Sequence, residues 1–170
     1  MRRIGIVLSV CLLALWALAP SPAEAAHPRV VGFETSYPAG TVIVRTAERR
    51  LYFILDRQRA IQYPVGVGRA GKQWTGVHQI RSKHIHPSWA PTPEIRRAEP
   101  HLPAVIGPGP RNPLGTRAML IGDTYYAIHG TNRPDSIGNF VSWGCIRMHN
   151  AHIEDLFQRV RIGAYVVVTR

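Results

Sequence analysis

The sequence has few cysteines and few acidic residues. Its 170 residues include two cysteines, Cys11 and Cys145, and ten Asp or Glu against 21 Lys or Arg. Two cysteines cannot form a disulfide framework, and the histidines have no acidic or cysteine partners at metal-ligand spacing. We therefore predict no metal site at the histidines. The closely spaced histidines, which we interpret as surface residues, are His84, His86, His149 and His152.

Long apolar runs are also scarce, and the one present lies at the N-terminus. Residues 4–19 are apolar, Arg2 and Arg3 precede them, and a small-x-small sequence follows that ends at Ala25. This order predicts a cleaved secretory signal peptide and export to the periplasm. A retained membrane anchor is the alternative, but the run is short for a membrane span.

The chain has no internal repeat and no linker to a second domain. With 45% hydrophobic residues, it is long enough for one domain with a core. We predict a signal peptide over residues 1–25, an extended lead-in over residues 26–39 and one domain over residues 40–170. Removal of the signal takes Cys11 away, which leaves Cys145 either as a buried, inert side chain or as a reactive thiol.

Basic residues outnumber acidic residues in the mature chain. The formal net charge is +11, of which Arg2, Arg3 and Glu24 supply +1. Outside the cytoplasm, this charge favours anionic cell-wall polymer or membrane headgroups as partners, and not nucleic acid. Because the arginines are scattered along the sequence, a merely solvated basic surface is an equally good interpretation.

Strand signals dominate the domain and predict a mostly β fold. Runs of β-branched and aromatic residues are joined by connections too short for parallel crossovers, which predicts antiparallel hairpins. The predicted strands span residues 41–45, 50–56, 60–67, 76–82, 118–121, 125–129 and 165–169.

Two segments depart from the strand pattern. Residues 87–113 hold eight of the 14 prolines, and we predict a long loop that borders the active cleft. After Asn150, a candidate N-cap, apolar residues at helical spacing predict one amphipathic helix, which Gly163 ends. The apolar stripe consists of Ile153, Leu156, Phe157 and Val160.

His129 and Cys145 form the candidate chemical pair. Each stands beside a glycine and follows an apolar run. An imidazole can take the proton of a thiol nucleophile, and Gly144 permits a tight turn that exposes the sulfur and leaves N–H groups for an oxyanion. No carboxylate stands where it would orient the imidazole, so we predict a backbone carbonyl in that place. A structural cysteine and a loop histidine are the alternative.

The residues around this pair resemble the signature of the L,D-transpeptidase family, the YkuD-type catalytic domain. The matching segments are IHGTN at residues 128–132 and SWGCIRM at residues 142–148. The similarity extends over roughly residues 40–170, including the segments YPVGVG, PSWAPTPE and GAYVVV. Trp143 is a departure, because many members have histidine at that position.

The resemblance implies a β-sandwich-like catalytic domain without metal or cofactor that acts on peptidoglycan stem peptides. Cys145 would be the nucleophile, His129 the general base and acid, and the Gly130 carbonyl the group that orients His129. Arg147 would either contact a substrate carboxylate or pair structurally. The residues implied around the nucleophile, for the oxyanion and the substrate, are Ser142, Gly144 and Arg147.

The implied reaction is acyl transfer. The cysteine attacks the carbonyl at the L-centre of the third stem residue, D-alanine leaves, and an amine accepts the acyl group. The product is a 3→3 cross-link or an attached outer-membrane lipoprotein. Because the nucleophile does not specify the acceptor, a hydrolase that uses water is the alternative. A non-catalytic wall-binding protein is a further alternative.

Overall fold

Strands make up most of the structure. The computed structural model describes residues 28–170, and the predicted signal peptide, with Cys11, lies outside them. The strands are β1 (Arg29–Gly32), β2 (Val42–Arg45), β3 (Arg50–Ile54), β4 (Arg59–Pro64), β5 (Val67–Gly68), β6 (Gly76–Ile85), β7 (Arg117–Ile121), β8 (Ala127–His129), β9 (Phe140–Ser142), β10 (Ile146–Arg147) and β11 (Tyr165–Thr169). The helices are α1 (Pro93–Ala98), α2 (Asn150–Arg159) and a 3-10 helix, Pro134–Ser136. The prediction of a mostly β fold is confirmed.

A long central strand, β6, connects two parts of the sheet. The order is β1-β4-β3-β2-β11-β6-β7-β8-β10, and β5 pairs separately with β9. The first residues of β6 pair with β11 and its later residues pair with β7. The register shifts between Ile80 and Ser82, and an irregularity of this kind bends a strand. Strands from both parts therefore contribute to one core.

Alternation along the strands fills that core. Val42, Val44 and Leu51 belong to the main buried cluster, while Ile43 and Tyr52 pack in a second cluster. Successive side chains of a strand point to opposite faces, so both faces of this part of the sheet are covered. The main cluster also contains side chains from β7, β8, β10 and α2, which include Met119, Ile128, Ile146 and Leu156.

The sheet is mixed, which the hairpin pattern did not predict. The β2–β3–β4 meander is antiparallel as expected. By contrast, β11 runs parallel to β2, and β10 runs parallel to β8. The predicted lead-in contains β1, which pairs antiparallel with β4. In residues 28–170 no helix is long and apolar enough to cross a membrane.

The helix α2 packs on β7 and β8, with details that differ from the prediction. It begins at Asn150, and its N-cap is His149, which makes no side-chain capping bond. The Asn150 carboxamide instead accepts hydrogen bonds from the Thr116 and Thr131 amides at 3.3 and 3.0 Å. The prediction of Asn150 as N-cap is therefore wrong, because its side chain joins two loops. His152 is buried against the sheet, so its interpretation as a surface histidine is also wrong.

The proline-rich segment is more ordered than a plain loop. It contains α1, whose N-terminus is capped by the Thr92 hydroxyl, an acceptor for the Ile95 amide at 3.3 Å. A second α-helix was not predicted there. The base of the segment is closed by Asn112, which is fully buried. Its Nδ2 lies 2.8 Å from the carbonyl oxygen of Pro87 and 3.2 Å from that of Ile106.

Candidate active site

His129 ends β8 and is buried, with 4% of its surface exposed. Its Nδ1 lies 2.6 Å from the carbonyl oxygen of Gly130. Because a carbonyl can only accept, Nδ1 carries the proton and Nε2 is left as the basic nitrogen. Burial, and secondly the positive charge of Arg147, lower the pKa of His129 to about 4. The imidazole is therefore neutral near pH 7 and able to take a proton through Nε2.

Cys145 lies in a tight turn between β9 and β10 that Ser142 holds closed. The Ser142 hydroxyl donates to the carbonyl oxygen of Cys145 at 2.6 Å and accepts from the amide of Gly144 at 3.0 Å. Gly144 has φ 117°, a conformation that L side chains rarely adopt. A Cβ at this position would lie 2.3 Å from Cε1 of Tyr126. Only glycine fits this turn without displacing the ring.

The aromatic pair Trp74 and Tyr126 supports the same turn. The Trp74 indole nitrogen donates to the carbonyl oxygen of Gly144 at 2.8 Å. Its ring stacks on Tyr126 with centroids 4.8 Å apart and an interplanar angle of 6°. Sequence analysis did not identify these two residues as part of the site. The one available signal was that a buried indole N–H requires an acceptor.

The parallel pairing of β10 with β8 brings the two candidate residues to the same place. Ile146 pairs with Ile128 and Arg147 with His129. The Met148 amide then donates to the carbonyl oxygen of His129 at 2.8 Å. The residue that precedes β10 is Cys145, so its thiol is held at the cavity that His129 also lines.

The Cys145 sulfur is held as a thiol. Its Sγ lies 3.9 Å from the carbonyl oxygen of Tyr125. Burial raises the pKa of Cys145, and a hydrogen bond from the Ala127 amide and the charge of Arg147 only partly oppose this rise. Together with the lowered pKa of His129, this describes a neutral thiol and a neutral imidazole that line one cavity, not a preformed ion pair.

Arg147 is fixed by its backbone while its guanidinium lacks a protein partner. Its amide and carbonyl bond to those of Gly66 at 2.8 and 2.9 Å. Its Nε is buried and has no hydrogen-bond acceptor within residues 28–170. Burial lowers the pKa of Arg147, and the like charge of Arg133 lowers it further. No ion pair within the described residues supports the structural alternative for this arginine.

Two cavities meet at Cys145. The arginine cavity, about 370 Å³, contains His129 and Cys145 and is lined by Arg111, Arg133 and Arg147. The tyrosine cavity, about 430 Å³, is lined by residues that include Thr124, Tyr125, Tyr126, Thr92 and Glu94. The side chains that border both cavities are those of Ile95, Trp143 and Cys145. The segment of residues 87–113 lines both of them, as predicted for a loop beside the active cleft.

Comparison with known proteins identifies the family. A family model described as the L,D-transpeptidase catalytic domain, YkuD, matches residues 39–168. The chain belongs to the L,D-transpeptidase catalytic domain family. It is 40% identical over 136 residues to a probable L,D-transpeptidase, ErfK/SrfK, of Escherichia coli, and the match covers 75% of this chain and 43% of that protein. The chain therefore spans less than half the length of this curated relative.

Solved structures share the fold of this L,D-transpeptidase domain. L,D-transpeptidase 3 of Mycobacterium tuberculosis superimposes with a TM-score of 0.63 at 16% identity, over 78% of this chain and 62% of that one. A protein of Brucella melitensis, described as a probable carnitine operon oxidoreductase, gives a TM-score of 0.57 at 38% identity, over 84% of this chain and 93% of that one.

Trp143, the departure from the usual family pattern, has a structural place in this L,D-transpeptidase domain. The Arg69 guanidinium lies 3.5 Å from the centroid of the indole, and the Lys72 ammonium lies 5.5 Å from it. Lys72 also forms an ion pair with Glu94 of α1. The Trp143 side chain thus lines both cavities, and the side chains of Arg69 and Lys72 lie over its ring.

Metal-binding clusters and further cysteines are absent from the described residues. Within residues 28–170, no group of three or more His, Cys, Asp or Glu is placed to hold a metal ion. The single described cysteine is Cys145. The structure therefore brings together the residues that sequence analysis selected, which are Cys145, His129, Gly130, Ser142, Gly144 and Arg147.

Proposed function

We propose that the chain is a cysteine-dependent L,D-transpeptidase that acts on peptidoglycan stem peptides. The observation that carries this proposal is the arrangement at the arginine cavity, which both Cys145 and His129 line and where the Gly130 carbonyl fixes the His129 tautomer. Membership of the family supports the same reaction class. His129 is the general base and acid, and Cys145 is the nucleophile.

The first half-reaction forms a thioester. His129 Nε2 takes the thiol proton while Cys145 Sγ attacks the carbonyl at the L-centre of the third stem residue. The Gly144 amide already donates to Ser142, so we assign the Cys145 N–H to the oxyanion. The tetrahedral intermediate breaks its C–N bond, and His129 returns the proton to the departing D-alanine amine. D-alanine leaves with a protonated amine, and the acyl group remains on Cys145 as a thioester.

The second half-reaction requires an acceptor. An amine attacks the thioester, His129 takes its proton, and the thiol is restored. Two reactants must therefore reach one sulfur atom in turn, and Cys145 borders two cavities. Residues of the segment 87–113 line both cavities, and a segment that limits the access of water to the thioester would favour an amine acceptor over hydrolysis. The amine is that of a second stem peptide or of a lipoprotein lysine, and hydrolysis by water is the second candidate function.

The test is a product analysis with purified disaccharide-tetrapeptide. By mass spectrometry, transfer predicts a cross-linked dimer together with free D-alanine, and hydrolysis predicts the disaccharide-tripeptide and free D-alanine without any dimer. Cys145→Ala, with its fold checked by circular dichroism, is the matched control and should form neither product. If the wild type leaves the tetrapeptide intact under conditions in which it is folded, both enzymatic assignments are wrong.

Export is a separate part of the proposal. The N-terminal segment of residues 1–25 has the form of a signal peptide, and peptidoglycan lies outside the cytoplasm. We expect the chain made in a Gram-negative host to appear in the periplasmic fraction with a new N-terminus at Ala26. Recovery of the uncleaved chain from the cytoplasm or the membrane would contradict this.

A further inference from the structure

Positive charge is concentrated on one of the two cavities at Cys145. The arginine cavity is lined by Arg111, Arg133 and Arg147, against one carboxylate, that of Glu99. None of these three arginines forms an ion pair within residues 28–170. In the tyrosine cavity the charges of Glu94 and Arg97 balance. The two sides of the nucleophile therefore differ in the ligand charge that they favour.

Arg133 and Arg147 are close enough to act on one another. The charge of Arg133 lowers the pKa of Arg147, and the charge of Arg147 lowers that of His129. The buried Nε of Arg147 has no acceptor in the described part of the chain. Like charges that face a cavity without counter-charges are stabilised by a bound anion. The cavity thus has the charge and the unused donors of an anion site.

The backbone at Arg133 and at Arg111 is held in place by hydrogen bonds. The Arg133 amide donates to the Thr131 hydroxyl at 3.0 Å, and the Ser136 hydroxyl donates to the Arg133 carbonyl oxygen at 2.6 Å. Asn132 Nδ2 donates to the carbonyl oxygen of Arg111 at 3.0 Å. This last bond ties the end of the proline-rich segment to the loop after His129. The backbone positions of both arginines are therefore fixed beside the same cavity, and their exposed side chains line it.

We propose that Arg133 and Arg111 bind the terminal carboxylate of the donor stem peptide, so that the leaving D-residue occupies the arginine cavity. The inference rests on the proposed function and specifies its donor side. In the donor, this carboxylate lies one residue beyond the carbonyl that Cys145 attacks. A guanidinium matches the two oxygens of a carboxylate with paired N–H donors. Arg147 contributes positive charge nearer to the sulfur.

The carboxylate contact has different effects on the two half-reactions. The terminal carboxylate departs with D-alanine, so its binding affects formation of the thioester and has no effect on attack by the acceptor. Arg133 and Arg111 are thus specificity-determining residues for acylation alone. A purely structural role for either arginine would affect both half-reactions, or the stability of the fold, instead.

The experiment compares donors and variants in single-turnover acylation of the full mature chain, followed by intact-protein mass spectrometry. The donors are the tetrapeptide with a free terminal carboxylate, the same peptide as a terminal carboxamide, and the peptide amidated on the diaminopimelate side chain. For the wild type, we expect the terminal carboxamide to slow acylation about tenfold to a hundredfold, as expected for loss of a charge-assisted contact. Side-chain amidation should leave the rate nearly unchanged.

The variant arm uses Arg133→Gln and Arg111→Gln, with Arg57→Gln as the matched control on the exposed turn between β3 and β4. We expect Arg133→Gln to slow acylation by the carboxylate donor by about tenfold or more and to lose most of the discrimination against the carboxamide. The control should behave as the wild type. Transfer from a preformed thioester to the acceptor amine should keep its rate in every variant.

Three results would overturn the proposal. They are equal discrimination between the terminal donors in wild type and Arg133→Gln, a larger loss with side-chain amidation than with terminal amidation, and a slowed acceptor step in Arg133→Gln. Failure of the proposed function looks different, because Cys145 would then form a thioester with none of the three donors.

Discussion

At the residue scale, the site depends on two neutral groups. His129 is buried with its Nδ1 proton bound to Gly130, and its pKa is lowered to about 4. Burial raises the pKa of the Cys145 thiol. Proton transfer therefore accompanies attack on the carbonyl instead of preceding it. The turn that carries Cys145 has no room for a side chain at Gly144, because one added methyl group there would meet the Tyr126 ring.

The lowered pKa of His129 predicts how stability depends on pH. Between pH 6.5 and about 4, the imidazole is protonated in the unfolded chain and neutral in the folded one. The unfolded state then binds more protons, so the free energy of unfolding falls as the pH drops through this window, by up to ~3 kcal/mol. Denaturant titrations across this range should show a clearly weaker dependence for His129→Gln. A variant with the wild-type slope would assign the dependence to other groups.

Gly144→Ala should destroy the geometry at the nucleophile. The new Cβ would lie 2.3 Å from Cε1 of Tyr126, so we expect a loss of about 1–3 kcal/mol in the free energy of unfolding and acylation slowed by at least about a hundredfold. Gly163→Ala is the matched control, since Gly163 has φ 84° but no atom within 4 Å of the added Cβ. The control should lose stability but keep its acylation rate. Normal acylation by Gly144→Ala would show that the turn tolerates rearrangement.

At the scale of elements, short pieces of structure position the site. The strand β10 has two residues, and its parallel register with β8 pairs Arg147 with His129, which brings Cys145 to the cavity that His129 also lines. Runs of β-branched and aromatic residues predicted β2, β3 and β11 closely, because the residue types within each segment define them. The register of β10 was not predictable, since it depends on a partner distant in sequence. The Trp74 bond to Gly144 and the loop-joining role of Asn150 are tertiary contacts of the same kind.

Asn112 is the residue that should control the proline-rich segment. It is fully buried, its Nδ2 lies near the carbonyls of Pro87 and Ile106, and its Oδ1 accepts from the Leu114 amide at 2.8 Å. Asn112→Ala leaves these buried groups unpaired, so we expect a loss of about 2–4 kcal/mol. Hydrogen exchange at the Trp89 and Ile106 amides, which bond across the segment, should accelerate. Asn139→Ala, on an exposed loop, is the control. Unchanged protection in Asn112→Ala would show that other contacts close the segment.

At the scale of the whole molecule, the sheet serves as the frame for one cleft. Both parts of it meet at β6 and share a core, and Cys145, His129 and residues of the segment 87–113 line one cavity. The family, and the presence of Cys145 and His129 at one cavity, were predictable because IHGTN and SWGCIRM are contiguous in the sequence. The charge asymmetry of the two cavities was not, because it depends on arginines that the fold brings together from residues 111, 133 and 147. The net charge of +11 did not indicate where they would meet.

The most direct test of the account is the mass of the protein after rapid mixing with disaccharide-tetrapeptide. The account predicts a covalent adduct equal to the donor minus D-alanine, located on the peptide that contains Cys145, and its decay when an amine acceptor is added. Cys145→Ala should remain folded and unmodified, and His129→Gln should form the adduct far more slowly. An adduct on another residue, or none on a folded wild-type protein, would contradict the assignment of Cys145 and His129 as nucleophile and base.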